Sequence, residues 1–574
     1  MEYKLIGSND YLKNPIKTIL VNRGITNPSG FIDVGKSSEL NYSLLNNIDK
    51  AAELIIQHLE NKNNIFIQVD CDADGYTSSA ILIGYIKKAY PRAKITYRLQ
   101  EGKQHGINPD DVPSNTDLVI IPDAGSNQYD EHKVLKDRGL ETIVIDHHDC
   151  DIESEDALIV NNQLSPEYKN KSLTGAGMVY KVCQALDAKL HKDIAKKFVD
   201  LVSIGNIADS ADSRELETRY YMYLGLNELK NPLLRKLFKK QEYSTGGNKT
   251  IQSTQFYINP LINAAIRVGS REEKEQMFKA LLGSREKVPY KKRGSDTEEM
   301  VSIQDDTVRM LTNLKGKQKR LVDKATEEIE IRIESKGLLD NKVLIVYVEG
   351  ILDKDLTGLV ANKLADFYKR PVLLARKDEE EGMLTGSIRG YDKGEIKDFK
   401  ELLLSTNQFE FVEGHPNAAG FKIKRERLAE VNDELNDRLR EIEHNDCFEV
   451  DFEIPSNKLS KKFIFTIDNY KFLWGYKVEE PLISITNIEI AAEDIEHIGK
   501  KNKNTIKFKW NDIEYIRLKS DIEFYESLTS NKSKLLVLNI IGKAKANEYM
   551  GRKTAQFEIV ELEVVETKEK ELVF

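Results

Sequence analysis

The chain has 574 residues, of which 31% are charged and 40% hydrophobic, and its net charge is −9. This composition suits several soluble domains and excludes a disordered or collagen-like chain, and no apolar run approaches the ~20 residues of a membrane span. The acidic balance argues against indiscriminate nucleic-acid binding but leaves room for local basic patches and a metal site.

The first ten residues, MEYKLIGSND, contain no apolar signal core, and Cys71, Cys150, Cys183 and Cys447 lie far apart with no CxxC. A reducing cytoplasm is therefore the expected setting, without a disulfide or zinc framework. An entry segment leads to a helix over 46–60. Ile65 to Val69 then read as a short buried strand. Asp70, Asp72 and Asp74 follow at alternate positions, and Gly75 opens a helical run. These three carboxylates repel one another, with no Lys or Arg among them. A divalent cation offsets that repulsion, and hard cations prefer carboxylate oxygens.

Taken alone, the triplet reads as a solvated acidic turn. The arrangement recurs, however. A second apolar strand, Leu118–Ile121, ends in Pro122-Asp123, and a third, Thr142–Ile145, ends in Asp146-His147-His148. Ligands bind outside the carboxyl ends of parallel strands, so three such ends are most simply one site. The alternation of strands and helices from 65 to about 160 predicts an α/β fold with a parallel sheet. Downstream, SLTGAG (172–177) starts a helix, IGNIADSAD ends one in acids, and NPLINAAIRVG spans 259–269.

From about 295 the composition turns charged with near-helical apolar spacing, which predicts a connecting helix over 295–336. Two apolar strands flanking a helix then start a smaller α/β unit over 337–445, with Gly-rich LTGSIRG (384–390) and EGHPNAAGF (413–421). From 446 the pattern becomes short alternating strands, expected as a β-barrel of OB type. There Trp474, Tyr476, Phe508, Trp510 and Tyr515 lie near Lys500, Lys501, Lys503, Lys507 and Lys509. They read either as a base-stacking surface or as barrel core.

The ordered set Asp70/Asp72/Asp74, Asp123, Asp146-His147-His148 and Asp209 resembles the motifs of the DHH phosphoesterase superfamily, in particular the RecJ single-strand exonucleases. INAAIR (262–267) resembles the NAAGR-type stretch, GSIRG and EGHPNAAG resemble DHHA1 clamp motifs, and ILVNRGI (19–25) is similar to the family's N-terminal segment. The resemblance implies a DHH domain over 1–294, a DHHA1 clamp over 337–445 and an OB-like domain over 446–574.

It implies two Mn²⁺ or Mg²⁺ ions, one held by Asp70 and Asp72, the other by Asp74, His147 and Asp209, with Asp123 bridging. His148 is expected to contact the phosphate, donate a proton or orient His147, and Asp146 is a candidate for the same orienting role; the two form the catalytic pair. Asp212 is the alternative to Asp209. Asn263 and Arg267 are implied phosphate contacts near the cleft, and Gly386, Ser387, Arg389 and His415 away from the metals. The chain departs from the family pattern at Glu413, where glycine is usual, at Ile266, the glycine of NAAGR, and at Gln68, where many members have His.

The implied activity is metal-dependent hydrolysis of single-stranded DNA from an end, 5′→3′, in recombination or repair. Expected partners are single-stranded DNA and a single-strand-binding protein or helicase, with no membrane and a monomeric state. The alternatives are a phosphodiesterase of short oligonucleotides or nucleotides and a non-catalytic replication scaffold. A truncation after residue 444 is expected to leave the metal site and clamp intact.

Overall fold

The computed structural model describes residues 1–574 apart from 101, 103, 293, 295–296, 444–445, 500–503, 550 and 570–574. After a short first strand, β1 (Glu2–Leu5), the chain enters the unit that carries the acidic motifs, made of residues 25–317 and 471–480. Helix α1 (Ile48–Glu60) is followed by β2 (Asn64–Val69), α2 (Ala73–Ala89), β3 (Lys94–Leu99), β4 (Leu118–Pro122), α3 (Tyr129–Asp137), β5 (Glu141–Asp146) and β6 (Leu158–Asn161).

The strands form one all-parallel sheet in the order β3-β2-β4-β5-β6, as the sequence predicts. The two-residue period of a strand divides β2 between two cores. Ile65, Ile67 and Val69 join the large one, and Phe66 packs with Val119, Val144 and Leu135 on the other face. Parallel alignment brings every carboxyl end to one edge.

Helices α4 (Gly175–Leu190), α5 (Val199–Ala208), α6 (Leu216–Asn227) and α7 (Asn259–Val268) follow, the last entered through a π-helical turn, Thr254–Ile258. The helix expected over 295–336 starts later. A hairpin, β7 (Lys287–Lys291) and β8 (Glu298–Ser302), precedes it, and the helix itself, α8, runs Ile303–Ser335. Val288, Tyr290 and Val301 favour strands, and Lys291 stands opposite Glu298 across the pair.

Residues 471–480 join this unit through a buried arginine. Arg219, on α6, is fully buried between the rings of Phe31 and Tyr223, at 3.7 and 4.6 Å. Its guanidinium donates to the carbonyls of Phe31, Ser213 and Leu473. Tyr223 donates to the Phe472 carbonyl at 2.8 Å, and Ser213 donates through Oγ to that of Tyr476, also at 2.8 Å.

The second compact unit comprises 1–24, 318–470 and 481–574. Strands β9 (Leu344–Tyr347), β10 (Val372–Lys377), β11 (Met383–Arg389), β12 (Phe409–His415) and β13 (Ala418–Lys424), with helix α9 (Thr357–Tyr368) between β9 and β10, form a sheet in the order β12-β13-β11-β10-β9. Only β9 and β10 run parallel. Strand β14 (Cys447–Val450) pairs with β1, and Arg23 grips buried Asp451 through two nitrogens at 3.1 and 2.8 Å. These contacts tie the N-terminal segment to this unit.

Strands β15 (Phe452–Pro455), β16 (Ile483–Ala491), β17 (Glu496–Ile498), β18 (Thr505–Trp510), β19 (Ile513–Leu518), β20 (Lys534–Tyr549) and β21 (Arg552–Glu569) form a mixed sheet in the order β15-β16-β20-β21-β19-β18-β17. Two of the rings singled out in its sequence are core, and Trp510 is half-buried. Phe508 and Tyr515 are buried and stack on each other at 4.9 Å, and Trp474 is buried within the metal-site unit. Lys507 pairs with Glu514 and Lys509 with Asp512, while Lys500, Lys501 and Lys503 lie outside the described residues. Of the two readings of these rings, barrel core or stacking surface, core therefore holds for Trp474, Phe508 and Tyr515, the last two because alternate side chains of a closely paired sheet fill its interior, while Tyr476 and Trp510 stay half-buried.

Candidate metal centre

Every strand of the parallel sheet delivers polar groups at its carboxyl end. Asp70 follows β2 directly, and Asp72 caps α2 by accepting from the Gly75 N–H at 2.9 Å. Asp74, in the first turn of α2, accepts on Oδ1 from Ala176 N–H and Thr174 Oγ, both at 3.1 Å. Asp123 follows β4 with φ +68, a left-handed backbone that Asp tolerates better than most residues. Asp209 ends α5.

His147, after β5, lies among them. Its Nε2 is 3.2 Å from Asp123, 3.6 Å from Asp209 and 4.0 Å from Asp74. Among the described residues four groups of potential ligand atoms result, each gathered within 4.8 Å: the two carboxylate-rich groups Asp70/Asp72/Asp123 and Asp74/His147/Asp209, and beside them Asp123/Asp146/His147/His148 and Asp70/Cys71/His105. Asp123 belongs to the first and touches the second through His147.

Close packing holds these acids in place. A Cβ on Gly75 would stand 2.6 Å from that of Asp70, one on Gly175 would stand 2.1 Å from Asp123 Oδ1, and one on Gly205 would stand 2.2 Å from Asp74 Oδ1. Only glycine fits at these three positions. Among the described residues the buried oxygens Asp74 Oδ2 and Asp123 Oδ1 form no hydrogen bond, although the His147 ring nitrogen stands 3.2 Å from the latter. Such orphans are costly, and a cation is their natural partner.

Burial and then neighbouring carboxylates push Asp74 up to about 6 and Asp123 and Asp209 well above the ordinary carboxyl range. Asp70 is also raised, first by burial. A donor set of carboxylates and one imidazole suits Mn²⁺ or Mg²⁺.

Asp146 has a different setting. Its Oδ1 accepts from the N–H groups of His147 and His148 and from His148 Nδ1, at 2.7, 3.2 and 2.7 Å, and its Oδ2 accepts from Ser126 N–H at 3.0 Å. Burial alone would raise its pKa, but the His148 bond and charge outweigh that and hold it below the usual range. The same bond outweighs burial at His148 and lifts it to about 9. Asp146 thus fixes the His148 ring through Nδ1. Asp212 pairs with Arg214 and lies outside these ligand groups.

The strand-end rule extends to residues the sequence reading passed over. Past β3, His105 Nδ1 meets Asp70 Oδ2 at 2.7 Å and the Gly106 N–H donates to Asp70 Oδ1 at 3.0 Å. Asn161, the last residue of β6, holds the His148 carbonyl, and Gln163 just past it holds that of His147, both at 3.0 Å. Applying the pattern to all five strand ends, rather than to the three with obvious ligands, would have found them.

Asn263 and Arg267 occupy the half-exposed side of α7, which packs against α2 and α5. In the clamp sheet, register places Arg389, Ala418 and His415 in one row and Ser387, Gly420 and Glu413 in another on the same face. The small residues of β13 leave a trough between those of β11 and β12. Arg389 lies across Gly358 at the start of α9. Gly386 does not join this face. It points the other way, where a Cβ would stand 1.9 Å from the Leu374 carbonyl, so its glycine serves strand packing.

Three domain families match the chain: the DHH family N-terminal domain over 64–206, the DHHA1 domain over 340–441 and the RecJ OB domain over 450–561. The chain is 65% identical over 577 aligned residues to YorK of Bacillus subtilis (strain 168), a candidate SPbeta prophage-derived single-strand DNA-specific exonuclease, with 100% of both chains covered. It is 26% identical over 539 residues to the single-stranded-DNA-specific exonuclease RecJ of the same organism, covering 90% of this chain and 63% of that one. Its fold is similar to that of RecJ in complex with Mn²⁺ from Thermus thermophilus, at a TM-score of 0.71 and 21% identity over 97% of this chain and 76% of that one.

Proposed function

On the premise that the chain belongs to the RecJ-type family of single-strand-specific exonucleases, we propose that it is a metal-dependent hydrolase of phosphodiester bonds in single-stranded DNA. The observation behind this reading is the pair of ligand groups meeting at Asp123, with orphaned oxygens on Asp74 and Asp123. Asp70, Asp72 and Asp123 would hold one ion, and Asp74, His147 and Asp209 the other, with Asp123 shared. Bound there, Mn²⁺ or Mg²⁺ ions supply Lewis-acid stabilisation of phosphoryl charge and an activated water.

The chain's own contribution is positional. Asp146 fixes the His148 ring through Nδ1, so that Nε2 faces the substrate as a proton donor or phosphate contact. Thr174 and Ala176 fix Asp74 through one oxygen and leave the other for metal. Intact ligands at every position disfavour a non-catalytic scaffold. Ser387, Arg389 and His415, in their two rows, would take a phosphate of the strand, Arg389 through its forked donors.

Cleavage from the 5′ end, a role in recombination or repair, a single-strand-binding protein or helicase as partner, a monomeric state and a cytoplasmic location complete the proposal. Among the described residues no helix is long and apolar enough to cross a membrane. The test is digestion of strands labelled at one end, single and duplex, with Mn²⁺, Mg²⁺ or chelator. Metal-dependent release of nucleotides from the 5′ end of single strands alone is expected. Absence of cleavage under all conditions overturns the reading.

A further inference from the structure

Helix α7 and the turn before it present one outward stripe. Ile258, Asn259, Leu261, Ile262, Ala264, Ala265 and Ile266 are buried, which leaves Phe256, Tyr257, Pro260, Asn263 and Arg267 on the open side. Phe256 and Tyr257 are 63% and 42% exposed. They sit in the one π-helical turn among the described residues, Thr254–Ile258. Turns of this kind are rare and frequent at functional sites, because the extra residue re-aims the side chains around it.

Single exposed rings are ordinary on protein surfaces. This pair is set apart by what continues its stripe. Asn263 and Arg267 follow at helical spacing, and the cationic end is enlarged from α8. There the Lys317 ammonium donates to the Val268 carbonyl at 3.1 Å, and Lys315 stands close enough to Arg267 for the like charge to add to burial in lowering its pKa. A row that starts with two rings and ends in an amide and three cations matches one ligand chemistry: unpaired bases on one side and a phosphate backbone on the other. From 256 to 267 the row spans roughly 16 Å at the helical rise of ~1.5 Å per residue, room for more than one nucleotide.

We propose that Phe256 and Tyr257 are the base-stacking platform of the metal-site unit, on which bases of a single strand lie while Asn263 and Arg267 follow its phosphates. The helix that carries the stripe packs by its buried face against α2 and α5, the helices that position Asp74 and Asp209. The inference rests on the reading of the chain as a single-strand nuclease and assigns within it a contact that depends on bases rather than charge.

The experiment uses the full chain in EDTA, so that binding is read without cleavage. Dissociation constants are measured for a single strand and for the same-length strand of abasic residues, with wild type, with a Phe256→Ala/Tyr257→Ala double variant, and with a ring-keeping Phe256→Tyr/Tyr257→Phe double variant. Wild type should prefer the base-bearing strand by about tenfold or more, the order expected for stacking one base. The alanine variant should lose that preference while holding the abasic strand as wild type does, and the ring-keeping variant should retain it. Unchanged preference in the alanine variant overturns the proposal and leaves the surface to another class of partner. Equal weakening on both strands also overturns it, since that signals charge or folding. Wild-type cleavage with Mn²⁺ is scored separately, so a protein that binds with base preference but never cuts refutes the nuclease reading and not this one.

Discussion

The metal-site sheet and the clamp sheet place their polar side chains in opposite ways. In the first, acids stand at the ends of parallel strands, pressed by Gly75, Gly175 and Gly205, and raised in pKa by burial and then by one another. In the second, Ser387, Arg389, Glu413 and His415 stand along antiparallel strands, in rows on a partly open face. Strand ends converge residues from distant sequence on a point, at high electrostatic cost without a cation. Mid-strand rows spread contacts along a surface and tolerate change, which explains why a carboxylate at 413 is compatible with the fold. The difference predicts a steep response to change in the metal unit and a graded one in the clamp.

The sharpest break should come from Asp123→Ala, which removes a member of one ligand group that also touches His147 of the other. Hydrolysis should be abolished while single-strand binding largely survives, read by nuclease assay and filter binding. Wild-type turnover in saturating Mn²⁺ would remove the two-ion assignment. Gly175→Ala should act in the same direction with every ligand kept, because its Cβ would meet Asp123 Oδ1 at 2.1 Å. An overpacking cost of about 1–3 kcal/mol should also lower its melting temperature.

Truncation after residue 444 is the next largest. The expectation that the metal site survives such a cut conflicts with the packing of 471–480. Those residues supply carbonyl acceptors to Arg219, Tyr223 and Ser213, the last only four positions beyond Asp209. Without them, buried Arg219 loses the Leu473 carbonyl, an acceptor worth about 1.5–3 kcal/mol for a charged donor. The truncated chain should melt earlier and cut even short oligonucleotides poorly, and normal cleavage of a dinucleotide would show that 471–480 is dispensable.

The carboxylate cluster should also make metal binding depend on pH. Asp74 has a folded value of about 6 against an ordinary 3.8. The metal-free fold therefore holds the extra proton between those values, and the stability tied to it falls as pH rises through 6. Metal requires the deprotonated form. The rise in melting temperature on adding Mn²⁺ should grow from pH 5 to 7.5, and Asp74→Asn should flatten that growth. A pH-independent metal shift in wild type would mean that the acids are not coupled to the ion.

The clamp should give the smallest effects. Arg389→Ala should weaken capture of single strands by about tenfold, within the range of a charge-assisted phosphate contact. Lys369→Ala, whose ammonium pairs with Asp446, should change it little. Glu413→Gly should tighten binding by less than the Arg389 effect, and an unchanged affinity would mean that the carboxylate points away from the phosphate.

Much of the metal centre was legible in sequence because its signal is local. An apolar strand followed at once by Asp70, Asp123 or Asp146-His147 states both the parallel sheet and the edge at which its ligands meet. The order of motifs through Asp209 likewise marks the family. Tertiary structure decided what each group does there. Asp146 spends one oxygen on His147 and His148 and the other on the Ser126 N–H, whereas Asp74 and Asp123 each keep one without a hydrogen bond, and that distinction lies in partners such as Ser126, Thr174 and Ala176. The same holds for Trp474, Phe508 and Tyr515, identical in composition to a stacking surface yet turned into cores by strand register and by Arg219. Phe256 and Tyr257, unremarked in sequence, face outward from a π turn. Hydrophobicity and charge are properties of residues, but burial, register and the donor opposite an oxygen belong to pairs of residues up to hundreds of positions apart, and only the folded chain brings those pairs together.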